Sequence, residues 1–270
     1  MPASPFSAFP AEIICRIFES TADFSVVAAL AKTARVFYHI WRENSTSICR
    51  AVVSRSFLTP ADAKRLVDIQ EAAEVATQTQ EDHGQKSILR AQRLLRNARA
   101  ASAVSHDWVE LCGIHDWREI MISGDVEMEQ DRHMRPHEIA GFEHAFYFVW
   151  TIGIMETTPH LKDQVSAFLD KCTPRELCRL YAFTDWALYN NENWYQSWGV
   201  EFKDDVWKTG CSLVRNRWWA YRHKRGYAVC SPDNTRMGMY AFFDETQRYL
   251  DIMEDEDRRD LEKQGAQNIT

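Results

Sequence analysis

The stretch Phe9-Pro10-Ala11-Glu12-Ile13-Ile14-Cys15-Arg16-Ile17-Phe18 decides the fold class of its surroundings. Proline fits the first turn of a helix, where the N–H it lacks has no intrahelical partner. Ile13 and Ile17 stand four apart, as do Ile14 and Phe18. Two apolar stripes, about 100° round from each other, therefore run down one helix. Ala22-Asp23 breaks it, and residues 24–30 form a second helix. Thr33 is placed as the N-cap of a third, which carries Val36, Phe37, Ile40 and Trp41 and ends near Asn44. Three short helices in about 35 residues bury too little apolar surface to offset chain entropy unaided. One stripe of the first helix can face the module's own helices and the other a partner.

Outward from there the pattern stays helical. Residues 48–58 are apolar and lead into Thr59-Pro60-Ala61-Asp62, which reads as an N-cap, a proline at the first helical position and an acidic first turn. Helices are expected over about 60–80 and 87–103, joined by the polar link 78–85. Residues 105–123 have mixed spacing. Pro136 starts a helix running towards Thr157, and Thr173-Pro174-Arg175-Glu176 combines an N-cap, a first-turn proline and a capping-box glutamate. Asp204-Asp205 opens a helix to about Arg225, and Ser231-Pro232 opens a last one to about Arg259. No period of 20 to 50 residues recurs, which argues against leucine-rich, ankyrin and propeller architectures. The fold class is all-α: a three-helix N-terminal module followed by an irregular multi-helix domain.

Composition agrees. Ten Trp and fourteen Phe against ten Gly and eight Pro favour long packed elements over a loop-rich sandwich. A net charge of −7 argues against a phosphate backbone as the main partner. The seven cysteines are scattered with no CxxC pair, giving neither a disulfide framework nor a zinc pattern, so they read as reduced, mostly packed thiols. The N-terminus has no signal-peptide pattern. The longest apolar run, 145–155, is too short to cross a bilayer, so no membrane partner is expected and the chain is placed in the cytoplasm or nucleus.

The opening stretch, followed by Ala28-Ala29-Leu30-Ala31-Lys32-Thr33-Ala34-Arg35-Val36-Phe37-Tyr38-His39-Ile40-Trp41, resembles the F-box, especially the version common in fungal proteins. The resemblance covers about a sixth of the chain and rests on a loose apolar pattern. It implies docking onto a Skp-type adaptor of a cullin-RING ubiquitin ligase, with Phe9, Pro10, Glu12, Ile13, Ile17, Leu30 and Phe37 as contact or support residues. The chain departs from the family in having Phe9-Pro10 where Leu-Pro is usual, and Ser20-Thr21 where a leucine is common. The alternative for this segment is an ordinary helical hairpin packed on the rest of the protein.

Chemistry finds little support. His137-Glu138 lacks the second histidine of an HExxH zinc site because Gly141 holds that place, and Pro136 puts His133 outside the helix bearing His137 and His144. No metal and no cofactor are expected. No phosphate loop or nucleophile elbow occurs, so no catalytic residues are assigned. The run Arg215, Arg217, Arg222, His223, Lys224 and Arg225, interleaved with Trp218, Trp219 and Tyr221, has the composition of a single-strand nucleic-acid surface. It is read instead as a basic helix end, countered by acidic residues within 244–262. Trp186, Tyr189, Trp194, Tyr195, Trp198 and Trp207, with asparagines between them, are read mostly as core. Trp194 and Trp198 are the candidates for contacting a client.

The expectation is thus a non-enzymatic substrate receptor: residues 7–53 engage the adaptor, and residues 54–270 form a helical domain that selects a protein client of unknown identity. A helical interaction protein without a ligase connection, or a nucleic-acid-associated factor, would be the alternatives.

Overall fold

The computed structural model describes residues 9–21, 24–56, 58–74, 83–114, 134–189 and 204–224, together with Phe242 and Arg259. Among these every regular element is helical and none is a strand. The elements are α1 (Ala11–Glu19), α2 (Phe24–Thr33), α3 (Arg35–Glu43), α4 (Ser45–Ser56), α5 (Pro60–Glu74), α6 (His83–Ile114), α7 (Pro136–Thr157), a 3₁₀ turn (Lys162–Gln164), α8 (Val165–Leu169), α9 (Pro174–Tyr189) and α10 (Asp204–Lys224). They divide into two compact units, Met1–Arg99 and Ala100–Thr270.

In the first unit, Pro10 sits at the N-cap of α1 and its carbonyl accepts the amides of Ile13 and Ile14, at 3.0 and 3.3 Å. The Ser20 and Thr21 hydroxyls donate to the carbonyls of Ile17 and Phe18, both at 2.8 Å, and so end the helix. Thr33 does not cap α3. It closes α2, donating its hydroxyl to the Leu30 carbonyl at 2.7 Å, while the extended residue Ala34 precedes α3. A threonine hydroxyl can bond back one turn as readily as forward, and here the backward bond wins. Asn44 ends α3 through its side-chain amide to the Ile40 carbonyl, 2.9 Å, and its own carbonyl accepts the Ile48 amide in α4.

The core of this unit's opening helices comprises Ile14, Phe18, Val27, Phe37, Ile40, Ile48 and Val52. The module therefore recruits a fourth helix, since Ile48 and Val52 belong to α4. Phe18 and Phe37 meet edge to face at 6.2 Å. Further on, α5 and α6 are joined by a reciprocal amide pair, Asn97 to Gln70 at 2.9 Å and Gln70 to Asn97 at 3.5 Å. Arg90 bridges Asp68 and Glu71, and Arg93 pairs with Glu74 at 2.8 Å.

α6 departs from expectation at both ends. It starts at His83, inside the supposed link 78–85, and continues through the mixed-spacing stretch to Ile114. The alanines and arginines of 90–103 are strong helix formers, and the Ser105 hydroxyl bonds back to Ala101 at 2.9 Å without interrupting the helix. The last expected helix, 231–259, lies outside the described residues apart from Phe242 and Arg259.

α7 is the centre of the second unit and is buried on most of its circumference, from Phe142 through Met155. α10 and α9 pack against it and against each other. Phe142 stacks on Trp108 at 4.1 Å and meets Phe183 and Trp186 of α9 edge-on, while Phe146 reaches Trp207 of α10. Two glycines let α7 and α10 cross closely. A Cβ on Gly153 would stand 2.1 Å from the Val206 carbonyl oxygen, and one on Gly210 would stand 2.3 Å from that of Val149. The capping box before α9 is present: the Thr173 hydroxyl accepts the Glu176 amide at 3.2 Å, and the Glu176 carboxylate accepts the Thr173 amide at 2.8 Å. No described helix is long and apolar enough to cross a membrane.

Candidate docking surface

The two stripes of α1 meet different fates. Ile14 and Phe18 are buried in the core, whereas Ile13 and Ile17 face outward with 46% and 38% of their surface exposed. Phe9, one turn before Ile13, is 46% exposed. Ile13 and Ile17 thus form an outward pair at four-residue spacing on the helix, with Phe9 exposed in the bend just before its N-cap. Beside it lies an apolar groove of about 160 Å³ between α1, α2 and α3, lined by Ile14, Ile17, Phe18, Leu30, Thr33, Ala34 and Phe37.

α1 is held in place from behind. The Glu19 carboxylate accepts the Ser47 hydroxyl of α4 at 3.0 Å and the Cys15 thiol at 3.8 Å, and pairs with Arg16 at 3.3 Å. The outward pair is therefore carried on an anchored helix, so little ordering entropy remains to be lost when it is covered.

Of the seven residues implied by the resemblance, Phe9, Pro10, Glu12, Ile13 and Ile17 are exposed and Leu30 is half-buried at the groove. Phe37 differs. It is only 6% exposed and packs on Phe18, so it shapes the groove floor from the core and offers a partner little surface. Val26, Val36 and Tyr38 are further exposed apolar or aromatic residues of α2 and α3 that the resemblance did not name as contacts. Their signal was the loose apolar excess of these short helices, which have more apolar residues than a small module can bury.

Trp194 and Trp198 lie outside the described residues, as do His133 and Arg225. Trp186 and Trp207, from the same aromatic cluster, are core residues. His137 is exposed and His144 half-exposed, and no group of three potential metal ligands occurs among the described residues.

The aromatics of the basic run have neighbours within the protein. Trp218 is buried, lies flat against Tyr181 and Tyr221 at 5.7 and 5.8 Å, and has the Arg222 guanidinium over its ring at 5.7 Å. Arg217 pairs with Asp170. The Trp218 faces that would stack on nucleobases are taken up internally.

Burial pushes the thiols of Cys49 and Cys178 up to about 11 and those of Cys172 and Cys211 up to about 12. All four are protonated at neutral pH and are poor nucleophiles. In the native chain at pH 7.5 they are expected to resist iodoacetamide, and to react fully once guanidinium unfolds the protein, as mass spectrometry would register. Rapid labelling of any of the four in the folded chain would contradict this. Because their folded pKa values exceed the ordinary 9.0, the folded state retains protons that the unfolded state releases. Their contribution to stability is present in full below pH 9 and declines as pH rises through 11 to 12.

Comparison with protein-family models, with curated proteins and with solved structures gave no match.

Proposed function

We propose that the chain is a non-enzymatic substrate receptor of a Skp-cullin-F-box type ubiquitin ligase, acting in the cytoplasm or nucleus. Residues 7–53 dock onto the Skp-type adaptor, and the helices that follow select a protein client, with Trp194 and Trp198 as the candidate anchors. The observation that supports docking most is the exposed pair Ile13 and Ile17, with exposed Phe9 just ahead of them, on a helix whose other stripe is fixed in a core. Left in water, such a pair forgoes roughly 25 cal/mol for each Å² that a partner would cover. The F-box resemblance of the same residues supplies the identity of the partner. Co-purification of the full chain with a Skp-type adaptor tests the proposal. Failure of the purified proteins to associate at micromolar concentration would leave the pair as the surface of an interaction protein outside the ligase.

A further inference from the structure

One polar side-chain group stands among the described residues that line the groove: the hydroxyl of Thr33. Thr33 is exposed at the C-terminal end of α2, and its hydroxyl donates to the Leu30 carbonyl of its own helix. Exposed cations flank it in sequence, Lys32 before it and Arg35 two residues after it. α2 is also the least anchored of the first three helices, with Val27 its one buried residue among ten. Such an element opens locally at low cost, which lets an enzyme reach a side chain near its end.

We infer that Thr33 is a phosphorylation site that switches off the docking groove, an inference that rests on the proposed adaptor docking. A protein kinase preferring basic flanks would supply the phosphoryl group from a nucleoside triphosphate. The bond from the γ-phosphorus to the β,γ-bridging oxygen breaks and a bond from that phosphorus to Thr33 Oγ1 forms. The hydroxyl proton is released, and the nucleoside diphosphate departs. Three effects then act in one direction. The proton donated to Leu30 is gone. A charge of about −1.5 to −2 appears at a helix C-terminus, where the dipole opposes it. That charge also stands in an apolar groove that a partner must desolvate to enter. Lys32 and Arg35 are close enough in sequence to hold the phosphate at the groove mouth, which keeps it in the path of the partner.

The test uses the full chain translated with phosphothreonine at position 33, beside the unmodified chain, in calorimetric titration with the adaptor. Phosphorylation is expected to weaken binding at least tenfold, and phosphatase treatment should restore it, which excludes misfolding as the cause. Equal affinities would overturn this inference and leave adaptor docking standing. No binding by the unmodified chain would overturn docking and the inference with it. In a second arm, a basic-directed kinase with ATP should label Thr33 several-fold faster in the wild type than in the K32A/R35A variant. Label entering other residues while Thr33 stays bare would overturn the assignment.

Discussion

Ile13→Asp, and separately Ile17→Asp, should abolish capture of a Skp-type adaptor while leaving the chain folded. Both side chains are exposed in the free protein, so a carboxylate there is solvated and thermal unfolding should move by less than about 0.5 kcal/mol in equivalent stability. In a complex the same carboxylate is trapped without a partner against an apolar surface, at a cost of roughly 3 to 5 kcal/mol. That corresponds to a loss of at least about a hundredfold in affinity. Ile14→Asp supplies the contrast, because Ile14 is in the core and the substitution should unfold the module outright. Titration of the purified full-length variants with the adaptor, beside their melting curves, separates the two behaviours. Wild-type affinity in both exposed variants would remove the α1 pair from the interface.

The second large effect is expected at the crossing of α7 and α10. Replacing a helical glycine with alanine usually stabilises a protein by about 0.5 to 1 kcal/mol. At Gly153 and Gly210 the sign reverses, because the new methyl would lie 2.1 and 2.3 Å from backbone carbonyl oxygens of the opposite helix. A backbone carbonyl cannot swing aside as a side chain can, so the helices themselves must separate and the aromatic layer beneath them must repack. Each of Gly153→Ala and Gly210→Ala is expected to cost about 1 to 3 kcal/mol. In a unit of this size that lowers the melting temperature by roughly 2 to 12 °C. The double variant should lose less than the sum, since the first substitution already opens the crossing that the second would meet. Calorimetry decides it, and an unchanged or raised melting temperature would mean the two helices are less closely apposed.

The extent to which this architecture could be read from the sequence varied with the kind of signal each segment carried. Helix starts with a chemical marker were legible to the residue: Pro60, Pro136, Pro174 and Asp204 all open helices where their caps and prolines placed them. These signals are local, so tertiary packing has little opportunity to override them. Where the marker was ambiguous the reading failed. Thr33 has the side chain of an N-cap but bonds backward, and the polarity of 78–85 hid the first turn of α6. The 3₁₀ turn and α8 went unread because five residues are too few to display a period, although Leu161, Val165 and Leu169 recur every fourth position and all three are buried.

The candidate surface was legible as a pair of stripes, but which stripe would face inward was not. A period of 3.6 residues locates two rows on a cylinder and leaves open which one a neighbouring helix covers. That choice depended on Phe37 and Ile48, which share a core with Ile14 and Phe18 from α3 and α4. Of the two roles open to Phe37, contact or support, its burial fits support.

The burial of α7 also has a consequence for the protein while it is still being made. A helix apolar on nearly every side has no soluble state of its own, and its main partner α10 lies further along the chain. Ribosomes add about 5 to 20 residues each second, so the roughly fifty residues between the two helices correspond to an interval of some 3 to 10 seconds. Throughout that interval Phe146 has emerged without the Trp207 ring of α10 that will pack on it, and only α6 and then α9 can cover the neighbouring rings. The yield of the protein in a cell would then depend on translation speed between the two helices as well as on the stability of the finished fold.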